Sequence, residues 1–429
     1  MNNQNPSIQC TRLSGGVMVV TEYMSHVSSV SLGVWSGIGS RDESPKQNGL
    51  AHFYEHMAFK GTENCNALEL VQKFEATGGH VNAYTTKEYT CFYGKVVADE
   101  AVKALDTLLE MTLKPVLEAG EFKKEKEVIL EEIRGCNDNP DERVYDLLGS
   151  ALFGEHPLGR PIAGTLASVK KMTLLDLKAH LHNIQYNKPL CISAVGQVNH
   201  DKVVAQVKSW MTAHKLLTSK TRFLRDRKSI PFRLKHIHES KELEQATVVL
   251  AFPAFPIHDP KCYALSLLNV LMGDGMSSRL FQEVREKLGL VYQISSYTEF
   301  LAGAGFLAVS FSADSIHTGR AVSVIGKLIK QMASEGISAE ELDFAKKYVR
   351  GNFLLEMESP QSRAAFLARA ALFERRIYTP EKYLKGFDKW KLPAFNSLVK
   401  AVLRPQKWGS CAIVPKGTQY RPQQWFEKN

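Results

Sequence analysis

Two histidines and a glutamate lie within five consecutive positions, 52–56, of the segment Gly49-Leu50-Ala51-His52-Phe53-Tyr54-Glu55-His56-Met57. On a helix, His52 and His56 lie on one face about a turn apart, where two imidazoles can bind one metal ion. Glu55 faces the same side and could accept a proton from a water molecule beside that ion. The pattern therefore predicts metal-dependent hydrolysis. The alternative is an ordinary helix with one buried and one solvated histidine.

A site of this kind needs a third protein ligand, usually histidine or a carboxylate. The predicted long helix at about 118–136 is where we look for it, although most of its glutamates must form its solvated face. Its glutamates are Glu118, Glu121, Glu125, Glu127, Glu131 and Glu132. Glu125 and Glu132 share one stripe of the helix, being seven residues apart. Its packed side is predicted to consist of Phe122, Val128, Ile129 and Ile133.

Periodicity and turn signals predict the elements that position these residues. In the first half, strands are predicted at 10–20 (two, about a Ser-Gly-Gly turn), 27–37, 81–85 and 89–97, with helices at 67–77, 99–113 and 118–136. In the second half, strands are predicted at 247–251, 291–296 and 305–312, with helices at 262–272, 278–288, 316–334 and 339–357. The shared order, offset by about 215 to 220 residues, indicates a duplicated domain.

The fold is therefore expected to be α+β, with two similar domains that each contain a mostly antiparallel sheet covered by helices. We expect a metal-binding domain at 1–215, a linker at 216–232 and a metal-free domain at 233–429. The second copy has no histidine or acid at 264–272. When the long helices of the two copies are aligned, Ala345 and Asn352 fall at the positions of Glu125 and Glu132. Carboxylates that are lost together with the histidines indicate a function in the first copy.

Composition supports a globular protein: the 429 residues are 44% hydrophobic and 23% charged. The seven cysteines are an odd number without a Cys-x-x-Cys pair, which indicates reduced thiols rather than disulfides or a thiolate zinc site. The N-terminal residues lack the features of a signal or transit peptide, and no apolar run is long enough to span a membrane. We therefore expect a soluble, cytoplasmic protein that does not contact a membrane.

The net charge of +9 raises the question of nucleic-acid binding. The basic residues are densest at 220–235, where no aromatic stacking pattern accompanies them. We interpret this segment as a solvated connection between domains and expect no nucleic-acid partner.

Several longer motifs resemble the insulinase and pitrilysin zinc peptidases, in the branch that contains the mitochondrial processing peptidase subunits and their bacterial relatives. The resemblance covers essentially the whole chain, and its order His-x-x-Glu-His is the inverzincin pattern. The motifs are Gly49-Leu50-Ala51-His52-Phe53-Tyr54-Glu55-His56-Met57-Ala58-Phe59-Lys60-Gly61-Thr62, Gly78-Gly79-His80-Val81-Asn82-Ala83-Tyr84-Thr85, Val128-Ile129-Leu130-Glu131-Glu132-Ile133, His156-Pro157-Leu158-Gly159-Arg160-Pro161-Ile162 and Gly275-Met276-Ser277-Ser278-Arg279-Leu280-Phe281.

The resemblance implies a metalloendopeptidase with one zinc ion per chain, bound by His52, His56 and Glu132. It implies that Glu55 is the general base and that Glu125 supports a ligand histidine.

The same resemblance makes the strand Asn82-Ala83-Tyr84 an edge to which a peptide substrate adds as an extra strand. Arg285 and Tyr292 match a pair that contacts substrate and stabilises the oxyanion. Without the family, they would be a helix-surface charge and a strand aromatic.

Family members of this size work as two-chain clamshells, so the resemblance implies a homodimer or a heterodimer with an inactive homologous subunit. Expected substrates are unfolded peptides or N-terminal extensions. The alternative function is that of a non-catalytic structural or assembly subunit, since the family also contains members without the motif.

Overall fold

The computed structural model describes residues 7–216, 228–374 and 377–427. The chain forms two compact units. Unit 1 is drawn from Met1–Ile133, Pro161–Asp226 and Leu354–Pro380, and unit 2 from Arg134–Arg160, Arg227–Phe353 and Glu381–Asn429. None of the described helices is long and apolar enough to cross a membrane.

Unit 1 is built on a six-stranded sheet. Its strands are β1 (Ile8–Arg12), β2 (Met18–Tyr23), β3 (Ser29–Ser36), β4 (His80–Thr85), β5 (Thr90–Val97) and β6 (Leu190–Gly196), in the order β1-β2-β6-β3-β5-β4. Only the pair β2 and β6 is parallel among the described strand pairs of this sheet. Alternate residues of β3, namely Val30, Leu32 and Val34, enter the hydrophobic core on one face, as the period of two requires.

Most helices of unit 1 cover that face. They are α1 (Leu50–Ala58), α2 (Ala67–Glu75), α3 (Ala101–Leu113), most of α4 (Ala119–Asp138), α6 (Leu166–Lys171), α7 (Leu174–Tyr186) and α8 (His200–Ala213). The other face is covered by α12 (Pro360–Glu374), from later in the chain.

Unit 2 repeats the plan with five strands. They are β7 (His236–Lys241), β8 (Gln245–Pro253), β9 (Gln293–Leu301), β10 (Ala304–Asp314) and β11 (Gly409–Pro415), in the order β7-β11-β8-β10-β9. Its helices are α5 (Pro140–Phe153), α9 (Lys261–Met272), α10 (Ser315–Glu335), α11 (Ala339–Glu356, shared with unit 1), α13 (Pro380–Asp388), α14 (Leu392–Val402) and α15 (Pro422–Glu427).

The two sheets have the same topology. Read from the parallel pair outward, β2-β6-β3-β5-β4 matches β7-β11-β8-β10-β9 in order and in relative strand direction. The prediction of a duplicated α+β fold with sheets covered by helices is therefore confirmed.

The compact units differ from the predicted contiguous domains by an exchange of two helices. Helix α5, from the first half of the chain, packs on β11, β8 and β7 of unit 2, and α12, from the second half, packs on β6, β3 and β2 of unit 1. The apolar side of α5, including Val144, Leu148 and Ala151, forms a core cluster with Val249 and Cys411. In each unit, the face of the sheet that points away from the main group of helices is thus covered by a helix from the other half of the sequence. Most of the predicted linker, 217–227, lies outside the described residues.

Two predicted elements of the second half have different bounds in the structure. The helix predicted at 278–288 is a seven-residue π-helical segment, Phe281–Lys287, and the strand predicted at 291–296 is β9, which runs from Gln293 to Leu301. The continuation of β9 is explained by its pairing with β10 as far as Leu301 opposite Ala304.

Candidate metal centre

Helix α1 has one fully packed side and one reactive side. Leu50, Phe53, Tyr54 and Met57 are buried, and the Phe53 ring stacks on Phe122 of α4 with ring centroids 4.9 Å apart. Burial of these apolar residues fixes the rotation of the helix, because a helix buries one stripe. His52, Glu55 and His56 consequently lie on the side that is only partly buried.

Helix α4 supplies two carboxylates to the same region. Phe122, Glu125, Ile129 and Ile133 are buried along one stripe. The prediction that Val128 belongs to this packed side is wrong: Val128 is 51% exposed, because it lies about 100° around the helix from Ile129.

Glu132, two turns beyond Glu125, brings its carboxylate to the two histidines. Glu132 Oε1 lies 3.6 Å from His52 Nε2, and Glu132 Oε2 lies 3.5 Å from His56 Nε2. One donor atom from each of the three side chains lies within 4.8 Å of the others, and no second such group of His, Cys, Asp or Glu side chains occurs in the described parts of the chain. The adjacent Glu131 is not a member of the group.

The donor atoms fit a zinc ion. Ligand atoms about 2.05 Å from a tetrahedral zinc ion are about 3.3 Å apart, close to the two separations measured here. These separations are long for direct hydrogen bonds, yet the two nitrogens and the carboxylate converge. Two imidazoles and a carboxylate also form a common donor set of catalytic zinc sites, which keep a fourth position open.

The protonation state of His52 suits a metal ligand. Burial, followed by the nearby His56, lowers the pKa of His52 to about 3. His52 is therefore neutral at physiological pH and carries a lone pair on one ring nitrogen.

His56 is oriented by a buried carboxylate. Its Nδ1 lies 2.9 Å from Glu125 Oε1, and the other oxygen of Glu125, Oε2, lies 2.5 Å from Lys60 Nζ. The Glu125 carboxylate thus accepts a hydrogen bond from His56 Nδ1–H, which leaves Nε2 unprotonated and directed toward Glu132. Lys60 compensates the charge that Glu125 carries inside the protein.

Glu55 is held by the neighbouring edge strand. Thr85 Oγ1, at the end of β4, donates a hydrogen bond of 2.6 Å to Glu55 Oε2. Burial raises the pKa of the Glu55 carboxyl, and the Thr85 hydrogen bond opposes this shift. Glu132 contributes a smaller increase of the same pKa. A carboxylate with a raised pKa is a better proton acceptor than one in water.

The predicted substrate strand, Asn82 to Tyr84, lies on β4 at an edge of the sheet. Within the described residues, β4 pairs with β5 alone, and α1 packs against it. The Tyr84 ring is fixed by edge contacts with Trp35, Tyr89 and Tyr93, with centroids about 6 Å apart. Among the described strands, β4 thus has one unpaired edge, and the strand lies against the helix that carries the histidines.

Arg285 and Tyr292 belong to unit 2. The guanidinium of Arg285 lies over the Phe281 ring, 4.6 Å from its centroid, and the Tyr292 side chain is 73% exposed. Their predicted contacts with substrate stay predictions.

Three residues of the centre received no role from the sequence: Thr85, Lys60 and Glu43. Thr85 and Lys60 lie within the quoted motifs, but their spacing carries no signal for a hydrogen bond to Glu55 or Glu125. Glu43 lies before α1 and outside all the quoted motifs.

Comparison with known proteins identifies the family. The family model described as insulinase (peptidase family M16) matches residues 18–166, and the model described as the peptidase M16 inactive domain matches residues 171–349. The chain belongs to this family.

Individual relatives agree over nearly the whole length. The chain is 33% identical over 402 residues to the uncharacterized zinc protease YmxG of Bacillus subtilis, covering 94% of this chain and 97% of that protein. It is 34% identical over 386 residues to an uncharacterized zinc protease of Rickettsia felis, covering 87% and 90% of the two chains.

Solved structures share the fold. A peptidase M16 inactive domain from Pseudomonas fluorescens superposes with a TM-score of 0.87 at 20% identity, covering 96% of this chain and 99% of the other. A protease from Helicobacter pylori gives a TM-score of 0.84 at 22% identity, covering 95% and 99%.

Proposed function

We propose that this protein is a zinc-dependent endopeptidase that hydrolyses unfolded peptides or N-terminal extensions. The observation that carries the proposal is the convergence of His52, His56 and Glu132 beside a restrained Glu55. The printed names of the relatives, which call them zinc proteases, support the choice of metal.

Each residue of the centre has a definite task. His52 Nε2, His56 Nε2 and Glu132 would hold one zinc ion per chain. When bound, zinc supplies Lewis-acid chemistry, lowering the pKa of water and polarising a peptide carbonyl. Glu55 accepts the proton of the attacking water on its carboxylate and passes it to the leaving nitrogen of the peptide.

The neighbouring groups keep these atoms in place. Thr85 holds one oxygen of Glu55, so that the carboxylate meets the water in a fixed orientation. Glu125 fixes the tautomer of His56, and Lys60 forms an ion pair with the second oxygen of Glu125.

Substrate binding is assigned by the resemblance and supported by the position of β4. A peptide that pairs with Asn82, Ala83 and Tyr84 would gain main-chain hydrogen bonds with little demand on its sequence. Tyr292 and Arg285 are proposed as donors to the developing oxyanion and as substrate contacts.

Assembly is also proposed from the resemblance, and location from the cysteine pattern, which is typical of reduced thiols. We infer a dimeric chamber, formed either with a second copy or with an inactive homologue, in a cytoplasmic protein of the mitochondrial-processing-peptidase-like branch. Native mass spectrometry of the purified chain would test the dimer: a mass of one chain at working concentration would contradict it.

The second candidate function is a non-catalytic structural subunit. The fold alone would serve that function, and the second family model is itself described as an inactive domain. The complete set His52, Glu55, His56, Glu125 and Glu132 favours the enzyme, because a scaffold does not require these side chains to converge.

Cleavage of a quenched fluorescent peptide library separates the two functions. The wild-type protein is expected to cleave, and chelation or the Glu55→Gln substitution is expected to reduce kcat/KM by about 10³-fold or more. Glu55→Gln should still bind zinc stoichiometrically, because all three ligands are kept. A wild-type protein that holds zinc and cleaves nothing would reject the enzyme, and full activity of Glu55→Gln would remove Glu55 from its role.

A further inference from the structure

The first turn of α1 is fixed by a carboxylate from outside the helix. The residue before the helix, Gly49, has no side chain to cap the free amides of the first turn. Glu43 supplies the cap instead: its Oε1 accepts from Ala51 N at 2.8 Å, and its Oε2 accepts from Gly49 N at 2.8 Å. Glu43 is only 7% exposed.

The turn that enters the helix is equally constrained. Asn48 Nδ2 donates to Glu43 Oε2 at 3.1 Å and to Pro161 O at 2.8 Å, and Ser168 Oγ donates to Asn48 O at 2.7 Å. Gly49 has φ +98°, and a Cβ atom there would lie 2.5 Å from Ala163 O. The chain before His52 therefore has little freedom to move.

The two histidine ligands differ in how they are held. His56 is oriented through its own side chain by Glu125. His52 Nδ1 is buried and has no hydrogen-bond partner among the described residues. The position of the His52 imidazole therefore depends on the backbone of the first helical turn, where His52 directly follows Ala51.

We propose that Glu43 is a positioning residue of the metal centre, which holds the first turn of α1 and thereby places His52 Nε2 for the metal. Its carboxylate satisfies backbone donors at positions where the chain offers no local cap, and its charge is favourable at a helix N-terminus. This inference rests on the proposed function. It predicts that metal affinity, and not only stability, depends on a residue that never touches the metal.

The test is the zinc affinity of the apo protein, measured by competition with a chromophoric chelator. Glu43→Gln keeps the shape of the side chain but replaces one acceptor with a donor that faces a backbone amide. We expect it to weaken zinc binding about 10- to 100-fold, the range found when a residue that orients a zinc ligand is changed. Asn48→Ala, which removes one of the three donors, should weaken binding less.

Glu69→Gln is the matched control. Glu69 accepts from Asn66 N at 2.9 Å and so caps another helix of unit 1, α2. Weakening this cap should lower the midpoint of urea unfolding without changing the zinc affinity.

Two further measurements distinguish positioning from general destabilisation. In apo Glu43→Gln, the amides of Ala51 and His52 should exchange hydrogen at least about tenfold faster than in the wild type, because opening of the first turn becomes easier. In the zinc-saturated protein, kcat should fall while KM changes little.

The outcomes are separable. A Glu43→Gln protein that binds zinc within about twofold of the wild type would overturn the inference and leave the proposed function intact. An equal loss of zinc affinity in Glu69→Gln would also overturn it, since any destabilisation of the unit would then suffice. Failure of the wild type to bind zinc would overturn the proposed function itself.

Discussion

Helices α1 and α9 occupy the same place in the two duplicated units but carry different polar groups. Each follows a strand at the centre of its sheet and packs against an edge strand, β4 or β9. In unit 1, Thr85 of the edge strand donates to the carboxylate of Glu55. In unit 2, Ser296 of the edge strand donates to the carboxamide oxygen of Asn269 at 2.8 Å.

The difference shows what the fold needs and what chemistry adds. Unit 2 keeps a hydrogen bond between helix and edge strand, but both of its partners are neutral and buried. On α11, the long helix of the second copy, buried Ala345 corresponds to Glu125 of α4, and exposed Asn352 corresponds to Glu132. Different residues at these positions thus distinguish a packed unit from one that can hold a metal, at some expected cost in stability.

Removing the third ligand should have the largest effect. Glu132→Ala leaves two imidazoles, so we expect loss of stoichiometric zinc and a decrease of kcat/KM of about 10³-fold or more. Elemental analysis of the dialysed protein and peptide cleavage measure the two effects. Asn352→Ala, the matched change in unit 2, should alter neither. Zinc retained at wild-type affinity by Glu132→Ala would contradict its role as a ligand.

Low pH should decrease the stability of unit 1 through His180. This residue is buried on α7, with its ring 5.2 Å from that of Tyr54. No described histidine of unit 2 is buried. Burial lowers the pKa of His180 to about 4, from 6.5. Between these values the unfolded chain binds more protons, so stability falls as the pH decreases from 6.5 to 4.

At pH 4.5 this loss should be about 2–3 kcal/mol relative to pH 7.5. Urea unfolding of the wild type and of His180→Leu at both pH values measures it: the variant should lose less stability by that amount. His258→Leu, at an exposed position of unit 2, is the control. Equal pH dependence in wild type and His180→Leu would contradict the prediction.

Glu125→Gln should weaken zinc binding about 10- to 100-fold, because a carboxamide holds the Nδ1 proton of His56 less firmly than a carboxylate. Chelator competition measures the effect. Glu121→Gln, at the partly exposed start of α4, serves as the control and should bind zinc as the wild type does. Unchanged affinity of Glu125→Gln would mean that the hydrogen bond to His56 contributes nothing to the site.

Asn269→Ala should have the smallest effect and only on stability. It removes the side-chain acceptor of buried Ser296, which should lower the free energy of unfolding by about 1–2 kcal/mol. Zinc content and cleavage should not change, because unit 2 contributes no metal ligand. Denaturant unfolding with parallel zinc analysis tests both statements, and a loss of zinc in this variant would contradict the assignment of the metal to unit 1.

Local periodicity predicted much of this structure. The duplicated order of strands and helices, the reactive side of α1 and the shared stripe of Glu125 and Glu132 all follow from residue spacing. The resemblance to the family assigned the third ligand to Glu132, and the structure places Glu132 beside the two histidines. The prediction of the packed side of α4 failed at Val128, which is exposed, because apolar character alone does not fix the rotation of a helix.

Long-range pairing could not be predicted in the same way. Thr85 with Glu55 joins residues 30 positions apart, and the partners of Glu43 follow the path of a loop rather than a helical repeat. Periodicity identifies α5 and α12 as helices, but it does not specify which sheet each one covers.

The exchange of α5 and α12 has a consequence for synthesis on the ribosome. The sheet of unit 1 has all its strands once β6 has been made, but α12, which covers its second face, is translated only after residue 360. Until then, the nascent chain exposes a surface that is buried in the finished protein, a situation that favours aggregation or chaperone binding. A gene divided between residues 216 and 233 would give two fragments that each lack a native helix and carry one belonging to the other.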